Sequence, residues 1–119
     1  MITITIPDGE TFQLQHLVLD MNGTLTVDGL LPEGVSQRIE KLKNEMDIYL
    51  LTADTFGTGA KVAQELGIKM FTVSSDNGTK DKADFVSSFE LSEVVAVGNG
   101  NNDVEMFKLV RLSIVIIGE

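Results

Sequence analysis

A chain of 119 residues, 43% hydrophobic and 23% charged, has the composition of one globular domain with a packed core and leaves no room for a second sizeable one. With no cysteine and a single histidine, His16, it excludes disulfide frameworks, thiolate zinc sites, cysteine nucleophiles and multi-histidine metal centres. Nine basic residues against 18 acidic ones give a net charge of −9 at pH 7, a field that repels nucleic-acid backbones and anionic membranes.

The N-terminus predicts a hairpin. Ile2, Ile4 and Ile6 alternate with threonine, Pro7-Asp8-Gly9-Glu10 supplies a turn, and Thr11 to Leu19 resumes the strand pattern. The run His16-Leu17-Val18-Leu19 leads into Asp20 and the polar turn Met21-Asn22-Gly23-Thr24, and Leu25 to Leu30 reads as a small extended flap. Pro32-Glu33 suits the first turn of a helix, which Val35, Ile39 and Leu42 carry to about Asn44. Asp47 to Leu51 is a short apolar strand ending at Thr52-Ala53-Asp54. A helix from about Gly57 to Leu66 is closed by Gly67, and Ile68 to Val73 is the next strand. Thr79 opens a helix to about Phe89, Val94 to Val97 is a strand, Asn101 to Val110 a helix, and Leu112 to Ile117 the last strand.

After the hairpin, strands and helices alternate. That order specifies an α/β fold, a mostly parallel sheet with helices on both faces. The longest apolar runs are a handful of residues, far short of the roughly 20 that span a bilayer. MITITIPDGE has neither a basic n-region nor a long apolar h-region. A soluble, cytoplasmic protein without nucleic-acid or membrane partners is expected.

In an open parallel sheet, ligands bind outside the carboxyl ends of the strands. Those ends collect Asp20, Thr52 and Gly98-Asn99-Gly100 with Asn102-Asp103, and Lys82 lies near the start of a helix that can reach the same edge. A carboxylate, a hydroxyl, a lysine and a second carboxylate suit phosphoryl transfer. Asp serves as nucleophile, Thr and backbone N–H groups hold phosphate oxygens, Lys neutralises charge, and Mg²⁺ bridges carboxylate and phosphate.

Leu19-Asp20-Met21-Asn22-Gly23-Thr24-Leu25-Thr26 resembles the first motif of the haloacid dehalogenase (HAD) superfamily, Asp-x-Asp-Gly-Thr-Leu-Thr. It is also similar to the Asp-Lys-Thr-Gly-Thr-Leu-Thr phosphorylation motif of P-type ATPases. Thr52 resembles the second motif, Lys82 in Asp81-Lys82-Ala83-Asp84-Phe85-Val86 the third, and Gly98-Asn99-Gly100-Asn101-Asn102-Asp103 the fourth, Gly-Asp-Gly-x-Asn-Asp. The match runs in order from Leu17 to Ile117 and most resembles the soluble P-type-ATPase-like phosphatases.

The resemblance implies a Rossmann-like HAD core over residues 1–119, a single domain with an N-terminal β-hairpin and no cap domain. It implies a phosphohydrolase with an aspartyl-phosphate at Asp20, and Asn22, Thr52 and Lys82 as the other catalytic positions. Asp20, Gly23, Thr52, Ala53 and Lys82 would hold the phosphate, and Asp20, Asn22, Asn99 and Asp103 would hold Mg²⁺. The substrate would be a phosphorylated small molecule or a nucleotide. Capless members close their sites with partner subunits or take large substrates, which leaves a homo-oligomer open.

Two positions depart from the family pattern. Asn22 stands where the phosphatases carry their general acid and base, and an amide neither donates a proton to a leaving group nor activates water. Its backbone carbonyl can still ligate Mg²⁺. Asn99 stands where the fourth motif offers a metal-ligating Asp, and an uncharged ligand lowers metal affinity. Slow turnover is therefore expected, with good leaving groups favoured.

Plainer readings stand beside these. Asp20 and Gly98-Asn99-Gly100 also suit ordinary turns, Asp54 suits a helix N-cap, and Lys80 rivals Lys82 as the motif lysine. His16 reads as a satisfied structural side chain, and Met46, Met70 and Met106 as core filling. A non-catalytic pseudo-phosphatase that binds phosphate, nucleotide or protein is one alternative. A signalling receiver domain, with its own Asp, Thr and Lys, is the other.

Overall fold

The central strands carry apolar side chains on both faces, and that pattern dictates the layering. The structure, a computed structural model, describes residues 1–7, 9–20, 34–53, 57–74, 78–98 and 103–116. Strands β1 (Ile2–Thr5) and β2 (Thr11–Leu14) form an antiparallel hairpin with Ile2 opposite Leu14. Then come β3 (His16–Asp20), α1 (Val35–Leu42), β4 (Asp47–Thr52), α2 (Thr58–Leu66), β5 (Lys69–Thr72) and α3 (Gly78–Val86). A 3₁₀ turn at Leu91–Glu93, β6 (Val94–Gly98), α4 (Val104–Leu109) and β7 (Leu112–Val115) complete the order.

Among the described residues, β3 to β7 form one parallel five-stranded sheet in the order β5-β4-β3-β6-β7. The first parallel strand is central. The chain adds β4 and β5 on one side, then crosses back to add β6 and β7 on the other. Numbered within the sheet, this is the doubly wound order 3-2-1-4-5. Receiver domains use 2-1-3-4-5, so the topology removes that alternative.

Successive side chains on a strand point to opposite faces. Leu17 and Leu19 of β3, Ile48 and Leu50 of β4 and Val95 of β6 thus meet Ile39 of α1 and Val62, Ala63 and Leu66 of α2. Their neighbours Val18, Leu51, Val94 and Ala96 meet Val86 of α3 and Met106 of α4 on the other face. Helices on both faces are what the alternation of elements predicts.

Several boundaries differ from those predicted. The run from Thr11 to Leu19 breaks at Gln15, whose N–H donates to the Glu93 carbonyl at 2.8 Å and whose carbonyl accepts from Asp47 N–H at 2.9 Å. Those bonds end the hairpin and start the parallel sheet. Helix α1 begins after Gly34, whose φ of 89° is left-handed, and Pro32-Glu33, expected in its first turn, lie outside the described residues. The N-cap residue of α2 is Gly57, also left-handed, and Asp54 lies outside the described residues.

Helix α3 stops at Val86, short of Phe89. The Ser87 and Ser88 hydroxyls donate to the carbonyls of Ala83 and Phe85 at 2.8 and 2.7 Å, a local competition that weakens helix continuation. Helix α4 starts at Val104 with Asp103 at its N-cap position. Met46 and Met106 are core residues, but Met70 is 39% exposed because β5 is an edge strand. The predicted flap from Leu25 to Leu30 lies outside the described residues. No helix among the described residues is long and apolar enough to cross a membrane.

Candidate active site

The sheet order places a crevice where its two halves diverge, between the carboxyl ends of β3 and β6. Asp20 is the last residue of β3 and Gly98 the last of β6. Thr52 closes β4 next door. Three of the motif positions therefore reach one edge through strand register alone.

Lys82 arrives from α3. It shares a helix face with Gly78 and Val86, four residues away on either side, and all three are buried. Its Nζ donates to Asp103 Oδ1 at 2.8 Å and lies 3.5 Å from Asp20 Oδ1. A buried ammonium is tolerated only among partners of opposite charge. Lys82 is 5% exposed and Asp103 fully buried, whereas the Asp20 side chain keeps 16% of its surface open. The two carboxylates and the ammonium sum to one negative charge facing the crevice.

Lys80 goes elsewhere. Its Nζ donates to Asp84 Oδ2 at 2.9 Å on the exposed face of α3, and that partner raises its pKa. Of the two rival lysines, Lys82 is the one beside the carboxylates.

Asp103 sits at the N-cap position of α4, whose first turn forms as the Phe107 N–H donates to the Asp103 carbonyl at 2.8 Å. A Cβ at Gly98 would overlap the Asp103 carboxylate and crowd Phe107 at 3.1 Å. The glycine is what lets the β6 backbone lie against that side chain. Thr52 is buried, and Ala53, which follows it, is exposed. Asn22, Gly23 and Asn99 lie outside the described residues.

His16 lies at the far end of β3. It stacks on Phe89 with ring centroids 4.5 Å apart, and its Nδ1 is buried without a hydrogen-bond partner among the described residues, 3.8 Å from Asp47 Oδ2. It is a packing residue as expected, although Nδ1 is not satisfied. Sequence reasoning missed two features near the crevice. Ser74 N–H donates to Asp81 Oδ2 at 2.7 Å, fastening the end of β5 to the first turn of α3. Gly59 packs against Thr52, and its signal was a glycine inside a helical pattern.

The oxygen donors of the Asp20 and Asp103 carboxylates suit a hard divalent cation. Among the described residues no three carboxylate, histidine or cysteine side chains converge.

Solved structures share this fold. A phosphoserine phosphatase in a form mimicking its phospho-aspartyl intermediate superposes with a TM-score of 0.71 at 15% identity, over 90% of this chain and 88% of that one. The cobalt-bound deoxy-D-mannose-octulosonate 8-phosphate phosphatase of Haemophilus influenzae gives 0.70 at 15% identity, over 85% of this chain and 67% of that one. Residues 85–117 match the family model of haloacid dehalogenase-like hydrolases.

Over that segment the chain resembles the HAD superfamily. The HAD match takes in β6, α4 and Asp103, the half of the crevice that holds Lys82 from behind. An uncharacterized protein of Methanocaldococcus jannaschii is 49% identical over 39 residues, 33% of this chain and 89% of that protein. The copper-transporting ATPase of Saccharomyces cerevisiae is 33% identical over 78 residues, 62% of this chain but only 8% of the ATPase.

Proposed function

We propose that this chain is a HAD-type, Mg²⁺-dependent phosphohydrolase that works through an aspartyl-phosphate on Asp20. The observation that carries the reading is the Lys82 ammonium held between Asp20 and Asp103 at the crevice of the sheet. The phosphatases that share its fold, one of them mimicking a phospho-aspartyl state, support the same chemistry. The ATPase relative supports the likeness to P-type phosphorylation domains.

An Asp20 carboxylate oxygen attacks phosphorus in line. A bond from that oxygen to phosphorus forms as the bond to the leaving oxygen breaks, and the electron pair departs on the leaving group. Thr52, Lys82 and the backbone N–H groups of Gly23 and Ala53 hold the remaining phosphoryl oxygens. Water then attacks phosphorus, the bond to Asp20 breaks, and phosphate leaves with the carboxylate restored. Asp20, the Asn22 carbonyl, Asn99 and Asp103 would hold Mg²⁺, which when bound offsets the charge of the phosphoryl group.

Asn22 cannot protonate a leaving oxygen, and general acid–base catalysis is worth roughly 10²–10⁴-fold. Nucleoside triphosphates, acyl phosphates and aryl phosphates should therefore outrun sugar phosphates. A leaving-group series with Asp20→Asn as control tests this. Rates are expected to rise as the leaving group becomes less basic and to vanish in the control. Equal rates for alkyl and aryl esters, or a control as active as the parent, would contradict the mechanism.

Asn22 and Asn99 also favour a second reading, a phosphate- or nucleotide-binding module without turnover. Mg²⁺-dependent protection by beryllofluoride with no measurable hydrolysis would select it.

A further inference from the structure

Gly59 is the second residue of α2, and no turn geometry calls for a glycine there. The left-handed glycines among the described residues are Gly34, Gly57 and Gly67. Alanine is the better helix former, so propensity alone predicts that Gly59→Ala would stabilise the helix. The surroundings predict the opposite. A Cβ built on Gly59 lies 2.6 Å from Thr52 Cγ2, 3.4 Å from Thr52 Cβ and 3.3 Å from Met70 Sδ.

The thioether of Met70 is flexible and half out in solvent, so it can give way. Thr52 cannot retreat. It is 3% exposed, pairs with Thr72 of β5, and its carbonyl accepts from Val73 N–H at 2.9 Å. A methyl at residue 59 must therefore lift the start of α2 or turn the Thr52 side chain. Threonine rotates between staggered wells, and Cγ2 shares its Cβ with the hydroxyl. Any rotation that clears the methyl carries Oγ1 to a different place.

We infer that Gly59 is the positioning residue for the Thr52 hydroxyl, its missing side chain fixing the rotamer in which that hydroxyl meets a phosphoryl oxygen. The inference rests on the phosphoryl-transfer reading of Thr52. Gly59 acts through the methyl of Thr52.

The test is a cycle of four proteins: wild type, Gly59→Ala, Thr52→Ser and the double variant. Serine keeps the hydroxyl and lacks Cγ2, so it removes the collision. Inhibition by inorganic phosphate and kcat/KM on an aryl phosphate are read alongside the melting temperature. Gly59→Ala in the wild-type background is expected to weaken phosphate inhibition about tenfold and to lower kcat/KM with it, the scale of a misplaced contact. In the Thr52→Ser background the same change should move either value less than about twofold, because the coupled partner is gone.

Equal losses in both backgrounds, or a Gly59→Ala variant that binds phosphate like wild type, would overturn the inference. A wild type that neither turns over the ester nor responds to phosphate would overturn the phosphoryl-transfer reading instead. The melting temperatures then decide the contact: a drop relieved by Thr52→Ser upholds it, and an unrelieved drop removes it.

Discussion

Lys82 illustrates how much one residue's neighbours decide. Replacing it by methionine keeps most of the stem's volume and leaves Asp103, fully buried, without the ammonium 2.8 Å away. Breaking a buried pair by removing one partner costs about 3–5 kcal/mol. Lys82→Met is expected to lose ~3 kcal/mol of unfolding free energy in a denaturant titration, and adding Asp103→Asn to that variant should recover part of it. A loss within about 0.5 kcal/mol, the range of an ordinary surface substitution, would show that the pair is not held as described. The choice between Lys80 and Lys82 was open in the sequence, yet its key was present there. One turn on, Lys80 meets Asp84 and Lys82 meets Val86, so helical phase sends one lysine to solvent and the other inward. The convergence of Lys82 with Asp20 and Asp103 was not legible, because it depends on how α3 and α4 dock side by side on one face.

Elements were read more reliably in their interiors than at their ends. The parallel order follows from alternation of strands and helices, but Gln15, Gly34 and the Ser87-Ser88 pair set boundaries through bonds to distant or competing groups. The junction of β5 and α3 is of that kind. Asp81 accepts hydrogen bonds from the backbone and the side chain of Ser74, and these hold its carboxyl below the ordinary value of 3.8. A carboxyl whose folded pKa is depressed contributes stability above its unfolded value and loses it as pH falls through the folded one. Asp81→Asn should therefore melt below wild type at pH 7, and the gap should narrow under pH 3.8 and close once wild-type Asp81 is protonated. Melting curves across that range check it. A gap that stays constant with pH would assign the effect to packing and not to the charge.

At the scale of the molecule, the net charge of −9 opposes compaction through self-repulsion. The solvent-facing pairs Lys43 with Glu40, Lys80 with Asp84 and Lys108 with Glu105 are screened by water and offset little of that repulsion. Salt screens interactions between exposed charges separated by more than a Debye length, about 10 Å at 0.1 M, and reaches buried pairs much less. Raising NaCl from low to physiological strength should thus raise the melting temperature, most steeply below about 0.1 M. The penalty of Lys82→Met should stay nearly constant over the same series, since that ammonium is 5% exposed. This part of the behaviour is legible in composition alone, whereas its exception depends on burial that only the fold creates. A melting temperature that falls with salt would mean that local pairing outweighs the overall field, and a Lys82→Met penalty that shrinks alongside it would mean that solvent reaches the crevice behind Asp20.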